Sequence, residues 1–288
     1  PDWNTNLTDD GLKHVPNLET LNCYVREVFT DEGFKHVPHL REVHCATIEE
    51  RCWTNDALKH VPQLKTLRCN KNTNFTDDGL QHVPHLEVLY CDDNRNFTND
   101  GLKHVPHLRE LYCGFNTSFT DEALKLLPHL EILECAWNNT FTDEGLNYVP
   151  RLRKLSCGRC TAFTDAGLQH VPQLEVLECG RNTNFTDDGL QHVPRLKQLD
   201  CGVKNTNFTD AGLRHLPQLR ELQCGPNVNF TDACLDHVPQ LHVLFCDKNE
   251  NFTEEAERRV PEFYEPEWYS EDEEPFSPTH LFWTDDDG

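Results

Sequence analysis

The sequence predicts an α/β solenoid in which short strands and short helices alternate along the chain. Two observations predict it. A self-similar segment recurs about every 22 residues, and each copy contains one apolar run with helical spacing and one with strand spacing. Units this short cannot bury their apolar faces alone, so they must stack side by side with their strands parallel. We therefore expect one continuous array rather than two globular domains.

An apolar marker residue sets the phase of the repeats. The markers are Leu7, Phe29, Trp53, Phe75, Phe97, Phe119, Phe141, Phe163, Phe185, Phe208, Phe230 and Phe252. Threonine follows every marker, proline lies nine residues after it in all twelve repeats, and cysteine lies sixteen residues after it in eleven. Only two spacings deviate, with 24 residues from Phe29 to Trp53 and 23 from Phe185 to Phe208. The predicted array spans residues 1–261.

Each repeat has a helical half and a strand half, as residues 75–91 illustrate. The segment "FTDDGLQHV" predicts a short helix whose first N–H groups Thr76 and Asp77 can cap. Pro84 is predicted to end this helix, because proline disfavours helical backbone in the residue before it. The following "HLEVLYC" predicts a short strand with Leu89 and Cys91 facing the core.

These residues resemble a known repeat family. "LEVLYCDDN" is similar to the leucine-rich-repeat pattern L-x-x-L-x-L-x-x-N, with cysteine in place of the third leucine. The "FTDxGL" continuation resembles the cysteine-containing subclass found in F-box leucine-rich-repeat proteins, and Cys160 stands where other repeats mostly have asparagine. The resemblance covers residues 4–261. It implies a right-handed, horseshoe-shaped superhelix with a parallel sheet on the concave side and short helices outside.

Charge and hydrophobicity restrict the partners. The chain has 49 acidic and 26 basic residues, a formal net charge of −23, which repels phosphate backbones and anionic lipid surfaces. No apolar run approaches the roughly 20 residues that a membrane-spanning helix needs. We therefore predict no nucleic-acid or membrane partner, and a protein, for example one with a basic surface, is the better candidate.

The cysteines predict a compartment rather than a metal site. Eleven of the fourteen cysteines occupy one inward strand position, where cysteine acts as a small apolar side chain. The nearest pair, Cys157 and Cys160, has no second pair to complete a tetrahedral zinc site. A row of free thiols is typical of reducing compartments, and the polar N-terminus lacks a signal-peptide core. We predict an intracellular, cytoplasmic protein without metal or cofactor.

Other chemically suggestive residues also follow the repeat. Nine histidines lie seven residues after a marker, where Leu126 and Tyr148 occur in other repeats, so packing at the helix end is the preferred interpretation. The pattern N-x-S/T recurs because a turn asparagine precedes the marker and its threonine, and glycosylation is not expected. This pattern occurs at Asn6, Asn74, Asn96, Asn116, Asn138, Asn184, Asn207, Asn229 and Asn251. No nucleophile or phosphate-loop motif is present, which predicts that the protein is not an enzyme.

The candidate site lies where the repeats differ. Positions 13, 15, 17 and 18 after the marker face outward from the predicted sheet, and they include aromatic and arginine side chains typical of binding hot spots. The predicted partner-binding residues are Tyr90, Tyr112, Phe115, Trp137, Arg159 and Arg181. The alternative is that glycine-containing turns let these rings lie flat over the sheet edge.

Residues 262–288 leave the repeat and are acidic and aromatic, so they are predicted to form a cap or a recognition tail.

The leading functional hypothesis is a scaffold that binds a protein on the concave face. One alternative is a structural protein that packs into a larger assembly. Another, inherited from the resemblance, is the substrate-recognition part of a ubiquitin-ligase adaptor whose F-box is absent from this chain.

Overall fold

The computed structural model describes residues 8–23, 30–45, 53–202, 205–246 and 249–264. One open sheet of twelve parallel strands runs through them, in the order β1 to β12. The strands are β1 Thr20–Cys23, β2 Glu42–Cys45, β3 Thr66–Arg68, β4 Val88–Tyr90, β5 Glu110–Tyr112, β6 Ile132–Glu134, β7 Lys154–Ser156, β8 Val176–Glu178, β9 Gln198–Asp200, β10 Glu221–Gln223, β11 Val243–Phe245 and β12 Glu262–Tyr264. The predicted α/β solenoid is confirmed, with short helices between successive strands.

The helices are shorter than the sequence predicts. The α-helices are Asp9–Leu12, Asn55–Leu58, Asp77–Leu80, Asn99–Leu102, Asp121–Lys125, Asp143–Leu146, Asp165–Leu168, Asp187–Leu190, Asp210–Leu213 and Glu254–Arg259, and the 3₁₀ helices are Asp31–His36 and Asp232–Asp236. After Leu80 the chain continues in turns, in which His82 and Val83 each donate a backbone hydrogen bond three residues back, at 3.1 Å. The expectation that Pro84 ends the helix was therefore wrong, because the α-helical turn ends four residues earlier.

A thin apolar core runs between the sheet and the helices. Phe75, Leu80, Val83, Leu89 and Cys91 are all 0% exposed, and the same positions are buried in the neighbouring repeats. These side chains belong to one continuous cluster that extends from Leu12 to Val260. The inward positions predicted from the repeat are thus the core, and each unit buries its apolar surface against the next.

An inter-repeat ladder of carboxylates or amides and threonines links successive helices. The carboxylate of Asp143 accepts from the backbone N–H of Thr164 at 2.8 Å and from its hydroxyl at 2.6 Å. Asparagine replaces aspartate twice, and Asn55 makes the equivalent pair of bonds with Thr76. An added Cβ on Gly167 would overlap Asp143 Oδ1, which explains the small residue four positions after the marker. The aspartate or asparagine two positions after the marker therefore fixes the next repeat, a role beyond capping its own helix.

A second ladder of buried asparagines lies at the turns after the strands. Asn138 is 0% exposed, its Nδ2 donates to the carbonyl of Asn116 at 2.6 Å, and its Oδ1 accepts from the N–H of Thr140 at 2.9 Å. Cys160 replaces asparagine in this row, and its Sγ donates to the carbonyl of Cys135 at 3.0 Å. A polar side chain occupies this turn position because it forms hydrogen bonds with backbone groups of two adjacent repeats.

The cysteine row is buried where its side chains are described, from Cys45 to Cys246. Burial raises the pKa of thiols such as Cys91 and Cys113, which keeps them protonated.

In the histidine row six side chains are half-buried and three are exposed, and burial lowers the pKa of His82. Within the described residues, no three His, Cys, Asp or Glu side chains form a group suited to a metal ion.

The N-x-S/T asparagines have structural contacts. Asn116 and Asn138 are buried. Others donate their side-chain amide to a backbone carbonyl of the preceding repeat, namely Asn96, Asn184, Asn207, Asn229 and Asn251. These contacts support the interpretation that the pattern arises from the turn.

At the C-terminal end, β12 pairs with β11 and is the strand that follows the last marker, Phe252. Tyr264 stacks on Phe245 with ring centroids 4.7 Å apart. Residues 265–288 lie outside the described residues, so the role of 262–288 as cap or recognition tail stays a prediction. In the parts of the chain that the structure describes, no helix has the length and apolar character needed to cross a membrane.

Candidate protein-binding surface

The outward side chains form rows across the concave sheet, because equivalent residues of neighbouring strands are in register. The middle row passes through Arg68, Tyr90, Tyr112 and Glu134, each paired with the next across adjacent strands. Neighbouring strands lie about 4.8 Å apart, so side chains within a row touch. The turns that follow the strands form a parallel row of their own.

Tyr90 and Tyr112 form a stacked pair on β4 and β5. Their ring centroids are 3.8 Å apart at an interplanar angle of 9°. The Arg68 guanidinium lies 4.0 Å from the centre of the Tyr90 ring, and the Tyr112 hydroxyl donates to Glu110 at 2.9 Å. Burial raises the pKa of Tyr112, and its contacts with Tyr90 and Glu110 raise it further. This cluster is half-buried and held in place by its own contacts.

Phe115 and Trp137 form a second stacked pair in the turns after β5 and β6. Their ring centroids are 5.4 Å apart, and the Arg159 guanidinium lies 3.9 Å above the Trp137 ring. Phe115 is 45% exposed and Trp137 is 37% exposed. A large aromatic surface is therefore open to solvent beside the tyrosine pair.

The backbone at this turn position is strained. Phe115, Trp137, Arg159 and Arg181 have φ between 59° and 63°, in the left-handed region. This conformation costs roughly 1–2 kcal/mol for residues with a Cβ, and Lys71 and Asp93 adopt it at the equivalent position in the turns after β3 and β4. Bulky side chains at these positions therefore do not stabilise the turn itself.

All six predicted site residues lie on the concave strand row or the adjoining turn row, and their role in binding a partner stays a prediction. Tyr90 and Tyr112 form one cluster, Phe115, Trp137 and Arg159 form a second, and Arg181 occupies the next turn position. The rings stack along the array, which agrees in part with the alternative that they lie flat. The exposure of Phe115 and Trp137 shows that stacking does not cover them.

A charged network adjoins the aromatic clusters on β6 to β8. Lys154 Nζ lies 2.6 Å from Glu134 and 3.1 Å from Glu178. Burial opposes the charged form of Lys154, but the two carboxylates outweigh burial and raise the pKa of the ammonium. The pKa of Glu134 is raised, because burial exceeds the opposing effect of Lys154. One cation therefore serves two carboxylates.

The sequence prediction missed Arg68 and a polar group on β9 and β10. Burial raises the pKa of Asp200 to about 7, with further contributions from Glu178 and Glu221. Gln223, paired with Asp200, is 8% exposed. These residues occupy the same outward positions as the predicted patch, so comparing those positions in every repeat would have found them.

Comparisons with known proteins support the fold. The chain is similar to an internalin of Listeria monocytogenes, at 19% identity, 90% coverage of this chain, 83% of that chain and a TM-score of 0.63. It is also similar to a leucine-rich-repeat protein of Leptospira interrogans, at 18% identity, with 91% of this chain and 75% of that chain covered and a TM-score of 0.58. A third similar structure is a chain of the yeast Rad7–Elc1 complex, at 15% identity, with 86% of this chain and 81% of that chain covered and a TM-score of 0.53.

No protein-family model matches the sequence. No curated protein sequence matches it either. At these identities the structural neighbours establish the architecture alone. Together with the twelve parallel strands, they show that this chain has the leucine-rich-repeat solenoid fold.

Proposed function

We propose that this chain is a protein-interaction scaffold, without catalytic activity, that binds a protein partner on its concave face. The observation that carries the proposal is the exposed stack of Phe115 and Trp137 on strained turns. Neither the core nor the turn requires large rings there, since Lys71 and Asp93 adopt the same conformation at the equivalent position in other repeats. Strain retained at exposed aromatic residues is typical of sites where a side chain is presented to a ligand.

The two clusters have the composition of a binding hot spot. Tyrosine, tryptophan and arginine contribute most to protein interfaces, because each combines a large contact area with a polar group. Tyr90, Tyr112, Trp137 and Arg159 provide such groups in fixed positions, since stacking restrains the rings before any partner arrives. Prearranged side chains reduce the entropy lost on binding.

Crosslinking and pull-down from the native cell test this proposal. We expect Tyr112→Ala and Trp137→Ala to abolish capture of the partner while the far-ultraviolet circular dichroism stays unchanged. Val228→Ala is the matched control, because Val228 is 61% exposed and lies outside both clusters. Unchanged capture by the two aromatic variants would contradict the proposal.

An adaptor role in a ubiquitin ligase is a second proposal, supported by the resemblance of the "FTDxGL" repeats and of Cys160 to the F-box leucine-rich-repeat subclass. Purification of the natural full-length protein from its cell tests this role and the proposed cytoplasmic location together. Co-purification of ligase subunits from the cytosolic fraction would support both. Recovery of the protein in another fraction without ligase subunits would contradict both.

A further inference from the structure

Three carboxylates and a buried amide lie together on the concave face beyond Lys154. Glu178 on β8 is paired with Asp200 on β9, and Asp200 is paired with Gln223 on β10. Glu221 lies on the same strand as Gln223, two residues earlier, and therefore faces the same side of the sheet. These four residues are named the acidic cluster below.

The acidic cluster contains hydrogen-bond acceptors that lack donors. Asp200 Oδ1 and Gln223 Oε1 are both buried and have no hydrogen-bond partner. Gln223 as a whole is only 8% exposed. A buried polar atom without a partner costs roughly 1–3 kcal/mol, so such atoms at an open sheet face indicate a missing donor.

Among the residues that the structure describes, the acidic cluster also lacks a cation of its own. Glu178 shares Lys154 with Glu134, and Glu178 and Glu221 both raise the pKa of Asp200 in addition to the effect of burial. Burial and Glu178 likewise raise the pKa of Glu221. Glu178 and Glu221 thus adjoin Asp200, and the one cation that the described residues place at this cluster, Lys154, contacts Glu178 and is shared with Glu134.

We propose that Glu178, Asp200, Glu221 and Gln223 form a subsite that receives a lysine or arginine side chain of the protein partner. The inference rests on the proposed function for the existence of that partner. Ammonium and guanidinium groups carry three and five N–H donors and no acceptor, which matches unpaired acceptors beside negative charge. Lys154, from the neighbouring row on β7, shows that this face already accommodates a long side chain whose ammonium group reaches Glu178.

Occupancy of the subsite depends on pH, because the cation favours ionised Asp200. The titratable groups that face Asp200 are Glu178 from β8 and Glu221 from β10, and the Gly202 N–H from the adjoining turn lowers its pKa. The thiols of Cys179 and Cys201 lie on the core side and stay protonated, since burial raises their pKa. The cation therefore binds more tightly as the pH rises through 7.

A titration of the full chain with a small cationic probe tests the subsite without the partner. The probe is acetyl-arginine-amide, its neutral control is acetyl-citrulline-amide, and the observed signals are the ¹³C-labelled carboxyl carbons of aspartate and glutamate. We expect saturable shifts at Asp200, Glu178 and Glu221, and a lowering of the Asp200 pKa by about one unit or more. Citrulline should cause neither effect.

Two variants and a metal titration complete the test. Asp200→Asn should remove the saturable shifts, whereas Trp137→Ala should retain them, so a failure here is distinguishable from a failure of the aromatic site. Equal shifts with citrulline, or arginine shifts spread evenly over exposed acids such as Asp78 and Asp93, would overturn the inference. The same shifts produced by calcium chloride at a lower concentration would also overturn it, in favour of a metal ion.

Discussion

Removal of one carboxylate from the inter-repeat ladder should weaken the junction between two repeats. Asp143→Ala deletes two hydrogen bonds to Thr164 and leaves a backbone N–H without its acceptor. Hydrogen bonds to charged groups contribute about 1.5–3 kcal/mol each when buried, and this pair is half-buried, so we expect a loss of about 2–3 kcal/mol. For a domain of this size that lowers the melting temperature by roughly 4–12 °C.

The chain itself provides the control for this change. Asn55 and Asn99 make the equivalent contacts with a neutral amide, so Asp143→Asn should cost less than about 1 kcal/mol. The assay is urea unfolding followed by circular dichroism, with the slope compared among variants because repeat arrays can unfold in parts. Equal midpoints for Asp143→Ala and the wild type would refute the structural role of the ladder.

A double-mutant cycle tests the same junction from the other side. Gly167→Ala adds a Cβ that overlaps Asp143 Oδ1, so it should destabilise the wild type by roughly 1–3 kcal/mol. In the Asp143→Ala background the overlap with Oδ1 is gone, and the remaining close contact is with the flexible end of Leu146, whose Cδ1 lies 3.0 Å from the added Cβ. Alanine also has the better helix propensity by about 1 kcal/mol. The double variant should therefore lose less free energy of unfolding than the sum of the losses in the two single variants. Strict additivity in urea unfolding would show that the small residue is required for another reason.

Three further predictions concern other features. Asn138→Ala should lower the free energy of unfolding by about 2–4 kcal/mol, since two buried hydrogen bonds are lost. Asn138→Cys, which reproduces the natural cysteine of the next repeat at Cys160, should lower it less in the same urea titration. Phe115→Gly should change stability by less than about 1 kcal/mol, because relief of strain offsets lost stacking, yet it should weaken partner capture in the pull-down. The folded-state pKa of Asp200 is raised to about 7, so the stability linked to its protonation is full below the unfolded-state pKa of about 3.9 and is lost as the pH rises from there through 7. Asp200→Asn should therefore raise the urea midpoint at pH 8 but not at pH 4.

The sequence determines the scaffold well, because the same packing constraint acts on every repeat. Leu89 and Cys91 were placed in the core from alternation alone, and both are fully buried. The helix end was placed incorrectly, since Pro84 excludes an α-helix after Val83 but does not require one before it. The role of Asp143 also escaped prediction, because its partner Thr164 lies 21 residues away in the next repeat.

The candidate site was only partly accessible from sequence. The outward position of Tyr90 follows from strand alternation, so the row could be found by comparing repeats. The stacking of Tyr90 on Tyr112, and the strained backbone of Phe115, depend on three-dimensional geometry that no repeat pattern encodes. The partnerless oxygens of Asp200 and Gln223 depend equally on how their neighbours pack.

The central claim is that a protein partner binds the concave face at the aromatic clusters. The most direct measurement is crosslinking mass spectrometry of the captured complex, with photoreactive residues placed singly at Trp137, at Val228 and at the helical position Asp188. We predict crosslinks from position 137, with positions 188 and 228 unreactive. Crosslinks confined to position 188 or 228 would contradict the claim, because the partner would then bind elsewhere on the array.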